Sequence, residues 1–185
     1  MSEKPLLFVA LAGNPNSGKT TMFNALTGSR QHVGNYPGIT VDRKEGLAEV
    51  DGKELRIVDL PGCYSLTAYS AEELVARRVL AEERPDVVVD VIAATSLERN
   101  LYLAVQFMEL GIPLVLALNM MDEVRKKGMT IDSQRLSELL GFPVVETVAR
   151  SGQGRQELLR AATAHAQARQ EWKPLTISYG PDVDP

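Results

Sequence analysis

A glycine-rich segment at residues 13–20 carries the clearest chemistry in the chain. It follows an apolar run at 6–12 and opens a helical pattern at 18–28, which is the strand–loop–helix setting of a phosphate-binding P-loop. Backbone N–H groups of such a loop surround phosphate oxygens, the Lys19 ammonium adds charge beside the outer phosphates, and the Thr20 hydroxyl can bind Mg²⁺. The alternative is a glycine-rich turn with a solvated lysine. The predicted nucleotide contacts are Gly13, Asn14, Pro15, Asn16, Ser17, Gly18, Lys19, Thr20 and Thr21.

A second motif, Asp59-Leu60-Pro61-Gly62, ends the third predicted strand. The Asp59 carboxylate can reach Mg²⁺, usually through water, and the Gly62 N–H can bond a terminal phosphate because no side chain intervenes. An ordinary Asp-x-Pro-Gly turn is the alternative. Because a P-loop precedes it, we interpret the motif as a metal and phosphate site and count Leu60 and Pro61 among the nucleotide contacts.

Thr40 ends a loop, residues 29–40, whose content of Gly, Asn and Pro is typical of a mobile segment. Its hydroxyl could complete a Mg²⁺ shell while its N–H touches the γ-phosphate. That contact exists only with a triphosphate, so its loss on hydrolysis would be an order–disorder switch. The alternative is a β-branched residue that simply begins a strand. We include Gly38 and Ile39 in the same predicted site.

Asn119-Met120-Met121-Asp122 follows another buried strand. The Asp122 carboxylate can accept hydrogen bonds from the N1–H and the exocyclic amine of guanine, whereas adenine leaves it unpaired. Asn119 can connect its loop to the P-loop. Met120, between Asn119 and Asp122, is also counted among the nucleotide contacts. The alternative is that Asp122 caps a helix. We interpret the segment as a guanine site.

The stretch Thr147-Val148-Ala149-Arg150 follows the last predicted strand, and Val148, Ala149 and Arg150 are its predicted nucleotide contacts. A backbone N–H here could meet the guanine carbonyl, with Arg150 stacking nearby. A plain strand-to-helix loop competes with this interpretation.

Strands and helices alternate along the chain, with one hairpin signalled by Asp51-Gly52. This order predicts an α/β fold with three layers, whose six-stranded sheet is mostly parallel and carries one antiparallel edge strand. Ligands in such sheets lie beyond the carboxyl ends of the strands, where all of these motifs fall. The predicted strands are 6–12, 41–50, 53–58, 87–92, 113–118 and 143–145, and the predicted helices are 18–28, 70–83, 97–110, 122–127, 132–140 and 157–169.

Composition restricts the class of protein. The chain has 185 residues with a net charge of −4, so no nucleic-acid partner is expected. Cys63 is the only cysteine, which excludes an internal disulfide and fits a reducing compartment. No apolar run approaches the roughly 20 residues that span a bilayer, so the chain itself is expected to be soluble.

Taken together, these motifs resemble four of the five motifs of the translation-factor-like GTPases. Two further stretches, VGNYPGITV at 33–41 and TSLERNLYL at 95–103, narrow the resemblance to the N-terminal cytosolic G domain of the ferrous iron transport protein B (FeoB) family. The resemblance covers about residues 6–170 and implies a Ras-like P-loop NTPase fold. It also implies a G domain at 1–170 and a linker at 171–185.

The family further implies GTP and GDP binding and Mg²⁺-dependent GTP hydrolysis, linked to Fe²⁺ uptake at the cytoplasmic face of the bacterial inner membrane. Its members join the G domain to a helical regulatory domain and a membrane region, and a homo-oligomer is allowed. Potassium activation is implied too, with Asn16 as the K⁺ ligand, while Thr20, Thr40 and Asp59 would hold Mg²⁺. The predicted catalytic residues are Asn16, Lys19, Thr40 and Gly62.

The sequence departs from the family pattern at several positions. Val148 replaces a serine and Met120 replaces the lysine of many GTPases, which suggests weaker guanine contacts and fast GDP release. Ala93 stands where relatives tend to carry Asp, and Tyr36 replaces Trp on a loop expected to be exposed.

Cys63 occupies the position of the water-orienting glutamine of Ras-like enzymes, so slow turnover is expected. Glu72 and Glu73 are candidates for placing the attacking water, although a solvated helix start explains them as well. Two other functions stay open: a soluble ribosome- or tRNA-associated GTPase, and a nucleotide-gated regulatory module with incidental hydrolysis.

Overall fold

A computed structural model describes residues 6–168 as a mixed sheet between two layers of helices. The predicted linker at 171–185 lies outside the described residues. The strands are β1 (Leu7–Gly13), β2 (Gln31–Asn35), β3 (Asp42–Val50), β4 (Lys53–Asp59), β5 (Val87–Ala93), β6 (Leu114–Asn119) and β7 (Val144–Glu146). The helices are α1 (Lys19–Thr27), α2 (Ala71–Arg78), α3 (Leu97–Glu109), α4 (Met121–Lys126), α5 (Ser133–Leu140) and α6 (Arg155–Gln167).

The sheet has seven strands in the order β2-β3-β4-β1-β5-β6-β7. All neighbours from β4 to β7 run parallel, and β3 runs antiparallel to both β2 and β4. β5 is buried along its whole length, as expected for a parallel strand covered on both faces. The carboxyl ends of β1, β4, β5 and β6 therefore meet at one edge of the sheet, which confirms the α/β prediction.

One strand more than predicted is present, because Gln31–Asn35 pairs with β3. The prediction of a mobile loop over 29–40 was wrong for this part. Almost every side chain of β2 is exposed, so the strand carries no apolar alternation that a sequence pattern could detect. Tyr36, expected on an exposed loop, is only 4% exposed and packs in the core.

Each helix layer covers one face of the sheet. Helices α1 and α6 pack on one face through residues such as Phe23 and Leu158, and α2, α3 and α4 pack on the other through Val75, Phe107 and Val124. Asp132 caps α5, as predicted, by accepting a hydrogen bond from the Arg135 N–H at 2.8 Å.

The predicted helix at 70–83 has two parts: α2, capped by Ser70, continues as a π-helical turn over Val79–Glu83. Among the described residues, no helix combines the length and apolar character needed to cross a membrane.

Candidate functional site

The P-loop joins β1 to α1 in the predicted position, and two of its glycines are required by crowding. A Cβ at Gly13 would lie 2.4 Å from the carbonyl oxygen of Val91, and one at Gly18 would lie 2.3 Å from Nδ2 of Asn119. Both glycines also have positive φ. The backbone can therefore turn here only because these side chains are absent.

Lys19 begins α1 and forms a buried ion pair with Asp59, at 2.5 Å between Nζ and Oδ1. The two side chains are 10% and 8% exposed. Burial raises the pKa of the Asp59 carboxyl, and the charge of Lys19 opposes that shift. The pair satisfies two buried charges that would each be costly alone.

A polar pocket surrounds this ion pair and brings Lys19 together with the predicted Mg²⁺ ligands Thr20, Thr40 and Asp59. Asn16 and Gly62, which were also predicted to act in catalysis, do not line it. Thr40 lies exposed on a tight turn, where the Tyr36 N–H donates to the Val41 carbonyl at 3.0 Å. Gly38 and Ile39 lie in the same turn without lining the pocket, and Ile39 packs against the core. The lining residues are Lys19, Thr20, Thr40, Val41, Asp42, Lys44, Asp59, Leu60, Pro61 and Glu72.

The residues predicted to hold Mg²⁺ offer suitable ligands. Thr20, Thr40 and Asp59 provide hydroxyl and carboxylate oxygens in one pocket, and such hard oxygen ligands are those that Mg²⁺ prefers. These three residues would hold the ion together with oxygens of a bound nucleotide.

Asn16 lies exposed in the P-loop with φ 67, and its side chain forms no hydrogen bond within residues 6–168. Its carbonyl oxygen is therefore available to a ligand. Asn14 and Ser17 differ, because both are buried and their side-chain oxygens lack hydrogen-bond partners among the described residues. Pro15 is exposed and lies next to Gly62, with atoms 3.6 Å from the position of a Cβ there.

Cys63, which follows Gly62, is buried in the core, and its N–H donates to the Gly13 carbonyl at 3.4 Å. Burial raises the pKa of the Cys63 thiol to about 12. The thiol is therefore protonated at neutral pH, and its buried position leaves it a packing residue.

Asn119 is the hydrogen-bonding centre of the other side of the P-loop. Its Nδ2 donates to the Ser17 carbonyl at 3.0 Å, and its Oδ1 accepts from the Ala149 N–H at 3.0 Å and from the Thr147 hydroxyl at 3.4 Å. Asn119 is only 3% exposed. One buried side chain thus joins the P-loop to the segment after β7.

A second pocket opens beside Asn119 and contains the residues predicted to recognise guanine. Asp122 lies in the first turn of α4, one residue beyond its start, so it does not cap that helix. The Cε of Met120 lies close to Gly18. The lining residues are Gly18, Thr21, Asn119, Met120, Asp122, Glu123, Val148, Ala149 and Arg150.

Arg150 donates to the Asp122 carboxylate at 3.1 Å and to Glu123 at 3.3 Å. Desolvation acts to raise the pKa of Asp122, but the Arg150 hydrogen bond and the charge of Lys126 outweigh it and lower that pKa. The carboxylate is therefore ionised. The N–H groups of Val148 and Ala149 are engaged by Gln153 and Asn119, so they shape the loop.

The two glutamates at the start of α2 have different surroundings. Glu72 lines the phosphate pocket. Glu73 faces the preceding segment and accepts hydrogen bonds from Ser65, Thr67 and the Tyr69 N–H. Glu73 therefore holds the chain between the Asp59 motif and α2.

Sequence reasoning missed Lys44 as a member of the site, and it included Thr147 in the last motif without a role for its side chain. Lys44 could have been found by counting back from the Asp51-Gly52 turn, because a two-residue hairpin fixes the register and places Lys44 across from Asp59. Thr147 is fully buried and bonds Asn119, and no sequence signal indicates that contact.

Comparison with known proteins gives a consistent result. A family model described as ferrous iron transport protein B matches residues 7–162. A fusion of Fe(2+) transport protein A and the Fe(2+) transporter FeoB from Porphyromonas gingivalis is 50% identical over 179 residues, which is 96% of this chain and 21% of that protein. The Fe(2+) transporter FeoB of Escherichia coli is 47% identical over 156 residues, which is 82% of this chain and 20% of that protein. The chain thus spans about a fifth of the length of these relatives.

Solved structures agree with this match. The cytosolic domain of T. maritima FeoB in a GDP form has a TM-score of 0.90 and 39% identity, covering 98% of this chain and 70% of that chain. The FeoB G-domain from Methanococcus jannaschii has a TM-score of 0.78 and 44% identity, covering 89% of this chain and 99% of that chain. These similarities confirm the predicted P-loop G-domain fold.

Proposed function

Since the chain belongs to the ferrous iron transport protein B family, we propose that it binds GTP and GDP with Mg²⁺ and hydrolyses GTP slowly, with stimulation by K⁺. The observation that best supports this proposal is the position of the P-loop between two pockets. One pocket contains Asp122, and the other combines Lys19, Thr20, Thr40 and Asp59. A nucleotide laid along the loop would meet both.

Guanine would be recognised by the ionised Asp122 carboxylate, which accepts from N1–H and the exocyclic amine. Arg150 occupies that carboxylate and is 70% exposed on its side chain. A surface ion pair of this kind is weak, so Arg150 can swing aside at little cost. Adenine would leave the carboxylate without donors, which supports preference for guanine.

The phosphates would be held by the N–H groups of the P-loop and by Lys19, which must then leave Asp59. That exchange releases the Asp59 carboxylate, which together with the Thr20 and Thr40 hydroxyls would hold Mg²⁺. When bound, the ion neutralises charge on the β- and γ-phosphates.

Hydrolysis needs a positioned water molecule, and the buried Cys63 thiol cannot orient one. Glu72 lines the phosphate pocket and is the acidic side chain of α2 placed to do so. The exposed oxygen of Asn16 is available to K⁺, whose charge would act where an arginine acts in other GTPases. Without a glutamine, turnover is expected to be slow.

Relatives that match this chain are named Fe(2+) transporters and are about five times longer. We therefore propose that this domain acts at the cytoplasmic face of a bacterial inner membrane, joined to a helical regulatory domain and a membrane region. There it would couple its nucleotide state to uptake of ferrous iron.

The test is to measure binding and turnover of GTP and ATP by the chain, with Mg²⁺ and with either K⁺ or Na⁺. We expect guanine nucleotides to bind, ATP to fail, and K⁺ to raise GTP turnover. Asn16→Ala should abolish the K⁺ response and leave GDP affinity largely unchanged. Asn35→Ala, which removes another exposed asparagine, is the matched control.

Absence of guanine-nucleotide binding in the presence of Mg²⁺ would refute the proposed function. Binding without turnover in either salt would favour the regulatory module over the enzyme. An equal K⁺ response in Asn16→Ala and the parent would remove Asn16 from the cation site.

A further inference from the structure

Lys44 has an unusual position for a lysine on a sheet strand. It lies on β3 directly across from Asp59 on β4. Side chains of directly opposed residues point to the same face of a sheet. Ala48 of β3 lies four residues from Lys44, and Ile57 of β4 lies two residues from Asp59, so each shares a face of the sheet with that residue. Both pack in the core layer of α1, and Lys44 and Asp59 therefore face that layer too.

The Lys44 side chain is half-buried and lines the phosphate pocket with Lys19 and Thr20. Within residues 6–168 it forms no hydrogen bond and no ion pair, although its charge acts on Asp59. The acids Asp42 and Glu72 line the same pocket. Partial burial of an unpaired ammonium is less favourable than full hydration, so the Lys44 ammonium would be stabilised by a nearby carboxylate.

Asp59 supplies that partner when Lys19 moves. In the structure, the Lys19 ammonium forms an ion pair with Oδ1 of Asp59. Phosphate binding draws Lys19 away and leaves a buried carboxylate with one cation directly across the strand pair, which is Lys44.

We propose that Lys44 is a positioning residue for Asp59: it holds the carboxylate when Lys19 is bound to phosphate, and thereby competes with Mg²⁺ for it. This inference rests on the proposed binding of Mg²⁺ and nucleotide. The affinity of the site for Mg²⁺ is thereby lowered, because Lys44 is available to pair with Asp59 when the ion dissociates. Release of nucleotide is then easier.

The test is a Mg²⁺ titration of fluorescent GDP binding, repeated with a non-hydrolysable GTP analogue. Lys44→Gln should lower the Mg²⁺ concentration for half-maximal binding about three- to tenfold with both nucleotides, because one unit charge beside the carboxylate is removed at a partly screened site. Lys44→Arg keeps the charge and should restore the parent value. Lys53→Gln, an exposed lysine of the same hairpin, should leave it unchanged.

Each outcome separates the inference from the proposed function. A parent chain that binds no guanine nucleotide refutes the proposed function. A parent that binds, with an unchanged or raised Mg²⁺ midpoint in Lys44→Gln, refutes the inference alone. If Lys44→Gln weakened binding of the GTP analogue but not of GDP, Lys44 would be assigned to the γ-phosphate, and the inference would again be refuted. Thermal unfolding of each variant confirms folding, and Lys44→Met provides a second neutral variant should Lys44→Gln fail to fold.

Discussion

The two ends of the candidate site are built in opposite ways. At the base end, Asn119, Thr147 and Ala149 are joined by neutral hydrogen bonds that need not change when a base arrives. At the metal end, Lys19 and Asp59 are paired with each other, although a bound nucleotide would require both. The hydrogen bonds around Asn119 are therefore preorganised, and at the base end only the exposed Arg150–Asp122 ion pair would have to open. At the metal end, binding would require an exchange of buried charge partners.

This difference follows from the chemistry of each ligand. A neutral base is recognised by shape and hydrogen bonds, and holding those groups rigid lowers the cost of binding. Buried charges without a ligand must find another partner, so a site for phosphate and metal ions is satisfied by internal ion pairs. We expect substitutions at the base end to change affinity, and those at the metal end to change metal dependence and turnover.

The largest effect should come from Asp122→Asn at the base end. An asparagine amide donates a hydrogen bond where the carboxylate accepts one, so it opposes the guanine amine and suits the 2-carbonyl of xanthine. We expect affinity for GDP to fall at least about 100-fold and that for the xanthine analogue to rise. Competition of both nucleotides against a fluorescent probe measures the reversal.

Glu123→Gln tests whether this reversal belongs to Asp122 alone, because Glu123 also accepts from Arg150. It should leave the base preference intact. A similar reversal in Glu123→Gln, or unchanged preference in Asp122→Asn, would contradict the assignment of the base end.

Asn119→Ala should have the next largest effect, because it leaves the Ser17 carbonyl and the Ala149 N–H without their partner. Each unpaired buried group costs about 1–3 kcal/mol, so we expect loss of stability and roughly thirtyfold weaker GDP binding. Asn100→Ala is the matched control, since Asn100 is also buried and bonds the Ala93 N–H and the Ser96 carbonyl.

The control should lose stability and retain affinity. Equal loss of GDP affinity in Asn100→Ala and Asn119→Ala would show that Asn119 acts only through the fold.

The same contrast explains what the sequence could predict. The P-loop, the Asp59 motif and Asp122 follow strand ends, and because parallel strands share one carboxyl edge, their meeting in space is predictable. The hydrogen bond from Asn119 to the P-loop was also predictable in outline. The contacts of Thr147 and Glu73 depend on side-chain directions that no spacing reveals.

The strand β2 and the burial of Tyr36 could not be predicted for a different reason. The strand is held by backbone hydrogen bonds to β3, and its exposed side chains show no alternation of apolar and polar residues. Tyr36 packs among core residues that include Cys63 and Leu66, which come together only in the folded chain.

Asp90 tests whether stability and nucleotide recognition are separable, because it lies on β5 opposite Ala12 of β1 and lines neither pocket. It is fully buried, and both carboxylate oxygens lack hydrogen-bond partners among the described residues. Burial raises the pKa of Asp90 to about 8. The folded state therefore holds a proton that the unfolded chain releases near pH 4, and stability falls as pH rises from about 4 to 8.

Asp90→Asn should remove that slope, which is at most about 1.4 kcal/mol per pH unit. Urea unfolding of both proteins at a series of pH values measures it, and GDP affinity at neutral pH should stay within about twofold. A parent chain whose stability is flat or rises across this range would show that Asp90 is ionised in the fold.

Thr40→Ala should have the smallest effect on binding and acts at the metal end alone. Thr40 is exposed on its turn, and its expected contacts are with the metal and the γ-phosphate. We expect turnover of GTP to fall about tenfold, because one ligand of the loaded site is lost, while GDP affinity is unchanged. Thr40→Ser keeps the hydroxyl and should retain most of the turnover. Equal turnover in all three proteins would remove Thr40 from the reaction, and a loss of GDP affinity in Thr40→Ala would show that the turn also supports the base end.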